Sequence, residues 1–192
     1  MADVSEPELL GAPGGEPVEI VPVDPAWREQ FAEWKRRITG ALGPLAARVE
    51  HVGSTSVADL PAKPVIDVQV SVPDQAALEA EAYVEPLEAL GLSLRGREAG
   101  HRFLRPRPDR GEPRTVHVHV CVAGSEWERD HLLFRDYLRA HPEHRTAYAD
   151  LKAELAQRFR TDRPAYNEAK TSFVEGTLWL ADEWAVATGW KG

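Results

Sequence analysis

Two segments with strict alternation of polar and apolar residues, 65–72 and 115–122, constrain the fold of this chain most strongly. In the first, Asp67 and Gln69 fall on the face opposite to a row of valines, and in the second His117 and His119 do the same. Because successive side chains of a strand point to opposite faces, each segment predicts a strand with one buried face and one polar face. Two histidines at this spacing can reach one ion or one phosphate. The polar faces of these two strands therefore predict a site.

A second motif, Gly53-Ser54, follows a predicted strand at 48–52 and precedes a loop at 55–64 that contains two prolines. Glycine lets the backbone approach a ligand without a Cβ, and serine offers a hydroxyl and an amide N–H to an anion. We expect a phosphate-binding group here, built from Gly53, Ser54, Thr55, Ser56 and Lys63.

The remaining patterns indicate an α/β (α+β) fold with a mixed, mainly antiparallel sheet of about five strands. An edge strand at 18–23 precedes a helix with an apolar stripe, and a second helix at 75–90 precedes a hairpin with strands at 92–95 and 101–105. Three C-terminal helices are predicted at 127–140, 145–160 and 164–188. We expect a disordered leader (1–16), one domain (17–188) and a tail (189–192). Within the domain we expect helices on one side of the sheet and a helical C-terminal part, from about 126, that closes over the site.

Composition limits the class of protein. A net charge of −8 over 192 residues disfavours non-specific nucleic-acid binding. No apolar run approaches the roughly 20 residues of a membrane span, and a single cysteine excludes an internal disulfide. The sequence therefore predicts a cytoplasmic protein with a small-molecule or nucleotide ligand, and leaves its oligomeric state open. Among the arginines clustered between positions 95 and 114, we expect Arg102 to contact an anion.

Several segments together resemble the GrpB (UPF0157) family. They are Val-Pro-Val-Asp-Pro-Ala-Trp at 21–27, His-Val-Gly-Ser-Thr-Ser-Val at 51–57, Lys-Pro-Val-Ile-Asp at 63–67, His-Val-His at 117–119, the segment 131–142 and Glu-Ala-Lys at 168–170. The resemblance implies a nucleotidyltransferase-like fold with polymerase-β-type topology, and some family members are fused to dephospho-CoA kinase. It adds Arg135 and Lys170 to the candidate ligand-binding residues.

The reaction stays open between three hypotheses. In the first, the protein transfers a nucleotidyl or phosphoryl group, and Asp67 binds Mg²⁺. The superfamily pattern has a second carboxylate two residues after the first, and this chain has Gln69 there. The pattern has a third carboxylate on a later strand, where this chain has His117 and His119.

In the second hypothesis, Asp67, His117 and His119 form a catalytic site for one metal such as Zn²⁺ or Mn²⁺, because imidazole suits softer ions than Mg²⁺. In the third, the domain binds a nucleotide or CoA-like ligand, or a partner, without catalysis.

Overall fold

The protein is described by a computed structural model that covers residues 8–9, 17–107 and 115–192. Its strands are β1 (Glu8–Leu9), β2 (Arg48–Val52), β3 (Ile66–Val72), β4 (Leu92–Glu98), β5 (His101–Pro106) and β6 (Val116–Val122). Its helices are α1 (Ala26–Leu42), α2 (Gln75–Ala80), α3 (Val84–Ala89), α4 (Glu126–Ala140), α5 (Pro142–Arg158), α6 (Arg163–Glu168) and α7 (Thr171–Thr188). The predicted leader falls outside the described residues except for β1, and the loop at 108–114 also falls outside them.

The strands form one sheet in the order β1-β4-β5-β6-β3-β2. Strands β3 and β6 run parallel, and the other neighbouring pairs are antiparallel. The predicted mixed, mainly antiparallel sheet is therefore confirmed. It consists of five strands of five to seven residues and the two-residue β1 at its edge.

One face of the sheet carries the main hydrophobic core. Val68 and Val70 of β3 and Val118 and Val120 of β6 are fully buried, and they belong to the same cluster as side chains of α1, α2 and α3. Burial of these valines contributes roughly 1.5 to 3 kcal/mol each. The alternation of β3 and β6 directs their apolar side chains to this core, and it leaves the other face free for polar groups.

The helices that follow β6 cover the polar face. Glu128 of α4 accepts hydrogen bonds from the Ser71 hydroxyl and from the Gly124 amide, which holds the start of α4 against β3. Helix α7 in turn packs on α4 through Ala181 and Ala185. No helix in the described ranges combines the length and the apolar character that a bilayer span requires.

Three predicted elements differ from the structure. The proposed edge strand at 18–23 is reduced to one bridge between Val21 and Ala62. The predicted helix at 75–90 is two short helices, because Glu81 adopts a left-handed conformation between them. The predicted helix at 164–188 is likewise divided into α6 and α7, with Lys170 at the junction.

Candidate metal and anion site

Asp67, His117 and His119 meet on the polar face of the sheet, and we call these three residues the sheet wall. In the parallel register Asp67 lies opposite His117, and Gln69 lies opposite His119. The Oδ1 atom of Asp67 is 3.2 Å from Nδ1 of His117 and 3.6 Å from Nε2 of His119. One ligand atom from each side chain lies within 4.8 Å of the others, so the three can hold one metal ion. The structure thus brings the three side chains together as the sequence predicted, and their role in metal binding or catalysis stays a prediction.

The backbone at Gly53 closes one side of the Asp67 carboxylate. Gly53 has φ 68° and ψ −176°, a conformation that is essentially restricted to glycine. A Cβ at this position would lie 2.2 Å from Oδ2 of Asp67. Glycine is therefore required here both by the backbone conformation and by the close approach to the carboxylate.

The turn after Gly53 is only partly available to a ligand. Gly53, Ser54 and Thr55 line the cavity in front of Asp67, whereas Ser56 does not. The Ser56 hydroxyl donates to the Gly53 carbonyl at 2.6 Å, and the Thr55 hydroxyl donates to the Val65 carbonyl at 3.1 Å. These two hydroxyls stabilise the turn. Ser56 therefore lies outside the described cavity lining and its phosphate contact stays a prediction, whereas Ser54 lines the cavity.

The protonation of the sheet wall follows from burial and hydrogen bonding. Burial alone raises the pKa of Asp67, but the hydrogen bond with His117 and the electrostatic effect of the two neighbouring imidazoles outweigh it and hold the pKa well below its usual range. Burial also lowers the pKa of His117 against the opposing effect of Asp67. An ionised carboxylate beside a neutral imidazole is the state that binds a metal cation.

Across the cavity, four residues from the C-terminal helices form a second surface, the helical wall. They are Lys152 of α5, Arg163 and Tyr166 of α6, and Lys170 at the start of α7. The Lys170 ammonium lies 4.4 Å from the centre of the Tyr166 ring, and the Lys63 ammonium lies 5.3 Å from the same ring. One aromatic ring therefore supports two ammonium groups.

Lys152 is 2% exposed, and its ammonium donates to the Pro61 carbonyl at 2.5 Å. Burial, together with repulsion from Lys170 and Lys63, lowers the pKa of Lys152 to about 7. Burial and the neighbouring Lys63 lower the pKa of Lys170 to about 8, and the pKa of Lys63 is lowered for the same kinds of reason. These three ammonium groups gain stability when an anion lies among them.

The two walls enclose a cavity of about 540 Å³. Its described lining includes six cationic side chains and two carboxylates, Asp67 and Glu98. The cations are Lys63, Arg95, Arg105, Lys152, Arg163 and Lys170. The chain as a whole has a net charge of −8, so the sign of the charge is locally inverted in the cavity. Such a concave cationic surface attracts anionic ligands.

Two predicted anion contacts lie elsewhere in the structure. Arg102 is absent from the described cavity lining, and its Nε donates to Glu81 at 2.8 Å. It shares a face of β5 with the core residue Leu104, whereas His101, Phe103 and Arg105 face the cavity. The alternation of β5 thus directs Arg102 away from the cavity, and its predicted contact with an anion stays a prediction.

Arg135 holds α4 to the sheet instead of lining the cavity. Its guanidinium donates to Glu50 at 2.9 Å and to the His51 carbonyl at 3.1 Å, and it also pairs with Asp136 at 2.7 Å. All of these contacts are buried or half-buried. The structure thus places Arg135 outside the described cavity lining, where its contacts hold α4 against the sheet, and its ligand contact stays a prediction.

Sequence reasoning missed His101, Lys152 and Arg105. The alternation of β5 could have indicated His101 and Arg105, because they lie two residues before and two residues after Phe103. All three side chains therefore lie on the face opposite to Leu104. Most helical lysines are exposed to solvent, and the low amphipathicity of α5 gives no indication that Lys152 is buried. Lys170, in contrast, lies in the cavity at the position that the family resemblance suggested.

The rings of His101, Trp127 and His131 form a stack beside His119 of the sheet wall. His101 stacks on Trp127 at 4.5 Å between ring centres, and Trp127 stacks on His131 at 3.6 Å. His119 also lies against Trp127 at 5.4 Å. Burial lowers the pKa of His101 to about 3 and that of His131 to about 4, so both rings are neutral at physiological pH.

Comparison with known proteins places this geometry in a family. The sequence profile described as "GrpB protein" matches residues 17–179. The chain is 38% identical over 172 residues to the UPF0157 protein SCO7215 of Streptomyces coelicolor, which covers 90% of this chain and 88% of that protein. It also resembles the crystal structure of the conserved protein GrpB from Enterococcus faecalis, with a TM-score of 0.76 and 34% identity over 86% of this chain and 99% of that one. The chain belongs to the GrpB family.

A further relative has a different name. The dephospho-CoA kinase of Mycolicibacterium paratuberculosis is 34% identical over 201 residues, which cover 91% of this chain and 48% of that protein. The matched region therefore spans about half of the kinase. The UPF0157 protein PA4798 of Pseudomonas aeruginosa is 39% identical over 164 residues, or 66% of its length.

Proposed function

We propose that this protein binds a phosphate-bearing small molecule, of the nucleotide or CoA type, and transfers or hydrolyses one of its phosphoryl or nucleotidyl groups at Asp67, His117 and His119. The observation that carries the proposal is the opposition of two walls in one cavity. One wall presents three candidate metal ligands within 4.8 Å of one another, and the other presents the buried ammonium of Lys152 and the half-buried ammonium of Lys170. The volume of about 540 Å³ suits a ligand of this size.

The donor set decides which metal fits. A pair of Mg²⁺ ions needs several hard, anionic oxygen ligands, and the sheet wall supplies one carboxylate and two imidazoles. Gln69, which stands where a second carboxylate would be expected, is fully buried. The residues therefore do not fit a two-magnesium site. They fit a single divalent transition metal such as Zn²⁺ or Mn²⁺. When bound, such a metal polarises a phosphoryl oxygen or activates water.

The chain itself binds and orients the substrate. Ser54 lines the cavity beside Tyr148, and a serine hydroxyl and amide N–H can both donate hydrogen bonds to a phosphate oxygen. Lys63, Lys152 and Lys170 neutralise the negative charge that develops on the phosphate oxygens during transfer. Gly53 keeps the Asp67 carboxylate in place, because its backbone packs directly against Oδ2.

The ligand class receives support from the relatives. Proteins named dephospho-CoA kinase contain a region similar to nearly all of this chain. We therefore include CoA precursors beside nucleotides as candidate ligands.

A thermal-shift screen with nucleotides, CoA precursors and divalent metals tests the proposal on wild type, Asp67→Asn and Lys152→Met. We expect a metal-dependent shift that Asp67→Asn removes, and an anion-dependent shift that Lys152→Met reduces. Product formation is then measured by phosphate release and chromatography with each stabilising pair. The absence of any stabilising nucleotide, CoA precursor or metal would refute the proposal.

A non-catalytic binding module is the second candidate. It is favoured by the incomplete carboxylate set, in which Gln69 and the two histidines replace acids. Tight ligand binding to metal-loaded protein without product formation would establish this candidate in place of the enzyme.

A further inference from the structure

Three side chains form a line from the β4–β5 turn to Asp67. The Glu98 carboxylate Oε2 is 3.3 Å from Nδ1 of His101, and Nε2 of His101 is 3.0 Å from Nδ1 of His119. Nε2 of His119 then faces Oδ1 of Asp67 at 3.6 Å. Every ring nitrogen along this line has a defined neighbour.

We propose that Glu98 and His101 are positioning residues that fix the tautomer of His119, so that its Nε2 lone pair faces Asp67 and the two form a chelate for a divalent transition metal. The metal-binding part of this inference rests on the proposed function. The tautomer part stands on the geometry of the described side chains alone.

The Glu98 carboxylate determines which atom donates in each hydrogen bond of this line. A carboxylate can only accept, so Nδ1 of His101 carries the hydrogen. The His101 side chain is 8% exposed and packs between aromatic rings, which favours the neutral imidazole. A neutral imidazole has one N–H, so Nε2 of His101 is an acceptor.

His119 must then donate from Nδ1 to His101. In the neutral imidazole Nε2 then carries a lone pair, and this atom lies 3.6 Å from the Asp67 oxygen. Two electron-rich atoms at this distance repel each other unless a cation lies between them. The line of bonds therefore favours a cation at this position, as the outer hydrogen bonds of metal-binding histidines commonly do.

The opposite direction is unfavourable in the wild-type chain. If Nε2 of His119 donated to Asp67, Nδ1 of His119 would accept from His101. Nδ1 of His101 would then face the Glu98 carboxylate as a second acceptor. Glutamine at position 98 removes this conflict, because its amide N–H can donate to His101 and allow the whole line to reverse.

The stacked rings hold the His101 imidazole in the orientation that its hydrogen bonds require. His101 lies on Trp127, and Trp127 lies on His131, with interplanar angles of 10° and 14°. Rotation of the His101 ring would break both the stacking and the bond to His119. The β4–β5 hairpin thus contacts the site through His101.

The variant Glu98→Gln tests the inference, with Glu88→Gln on the exposed side of α3 as the matched control. Long-range ¹H–¹⁵N NMR of histidine-labelled, EDTA-treated protein at pH 8 reads the tautomer of His119. We expect the Nδ1–H form in wild type and in Glu88→Gln, and a shift towards the Nε2–H form in Glu98→Gln. An Nε2–H or doubly protonated His119 in wild type would overturn the inference, as would an unchanged tautomer in Glu98→Gln.

Metal affinity provides the second measurement, with Zn²⁺ as the probe in a competition titration. We expect Glu98→Gln to raise the Kd for Zn²⁺ by about 10- to 100-fold. His101→Phe, which keeps the stacking on Trp127, should weaken Zn²⁺ binding in the same range, and His101→Gln should restore part of it by accepting from His119. An unchanged Kd in Glu98→Gln refutes the positioning role. If wild type binds no Zn²⁺, the proposed metal chemistry fails, while the NMR result still decides the tautomer.

Discussion

The sheet wall and the helical wall face the same cavity but differ in origin and in charge. Asp67, His117 and His119 are held by the register of two adjacent strands, and their acceptor atoms converge within 4.8 Å. Lys152, Arg163, Tyr166 and Lys170 come from three successive helices, and they present donors and cationic groups. The proposed function assigns a cation to the first wall and an anion to the second. A ligand that satisfies both carries a metal ion at one end and phosphate groups at the other.

This contrast predicts a strict division of effects between the two walls. The largest effect is expected for Asp67→Asn, which removes the anionic ligand that both histidines face. The Kd for Zn²⁺ should rise by at least about 100-fold, because even residues behind the ligands contribute 10- to 100-fold. Isothermal titration calorimetry measures the change.

Asp59→Asn is the matched control, since the Asp59 side chain is 82% exposed. Zinc binding should be unchanged in this control. Equal losses in the two variants would show that Zn²⁺ binds outside the sheet wall.

Gly53→Ala tests whether the turn supports the sheet wall. The added methyl group would lie 2.2 Å from Oδ2 of Asp67, and the backbone conformation disfavours alanine. We expect the free energy of unfolding to fall by about 1 to 3 kcal/mol and Zn²⁺ binding to weaken. Chemical denaturation measures the first effect.

Gly40→Ala provides the contrast, because Gly40 is exposed in α1 and an added Cβ would contact nothing within 4 Å. The higher helix propensity of alanine should stabilise the protein by roughly 0.5 to 1 kcal/mol. A Gly53→Ala variant as stable as wild type would contradict the tight packing of Gly53 against Asp67.

Lys152→Met tests the helical wall alone. We expect the Kd for pyrophosphate to rise by roughly 10-fold or more in metal-free protein, since hydrogen bonds to charged groups contribute about 1.5 to 3 kcal/mol. Zinc binding should change little. Exposed Lys191→Met is the control, and a loss of Zn²⁺ binding without a loss of pyrophosphate binding would reverse the assignment of the walls.

The same variant makes a prediction about pH. Folding lowers the pKa of Lys152 to about 7 and that of Lys170 to about 8, whereas both are near their ordinary value of about 10.4 in the unfolded chain. The unfolded chain therefore binds more protons between about pH 7 and pH 10, and these groups make the free energy of unfolding rise with pH in that window. Lys152→Met should make the rise smaller, as measured by urea denaturation at several pH values. An unchanged slope would show that Lys152 titrates normally.

The smallest effect is expected for Arg102→Gln. Its ion pair with Glu81 is partly exposed, so the free energy of unfolding should change by about 1 kcal/mol or less. Both Zn²⁺ and pyrophosphate binding should be unchanged, since Arg102 points away from the cavity. A marked loss of pyrophosphate binding would place Arg102 in the anion site after all.

Prediction succeeded where local periodicity decides the outcome. The alternation in β3 and β6 sorted Asp67, His117 and His119 onto one face, and the Gly53-Ser54 motif located the turn beside them. It failed where a contact depends on distant elements. Arg135 faces Glu50 across 85 positions of sequence, and the ammonium of Lys152 meets the Pro61 carbonyl across 91 positions. No pattern within α4 or α5 contains this information.

The sequence by itself determined the mixed sheet, its polar face and the family, because side-chain alternation and short motifs are properties of neighbouring residues. The tertiary structure alone decided that β3 and β6 are adjacent and parallel, which brings an aspartate and two histidines from 50 residues apart to within ligand distance. It also decided which lysines become buried cations, since burial and repulsion arise only when α5, α6 and α7 pack over the site. The two walls of the cavity therefore depend on different levels of structure: strand periodicity places Asp67, His117 and His119, and helix packing places Lys152, Arg163, Tyr166 and Lys170.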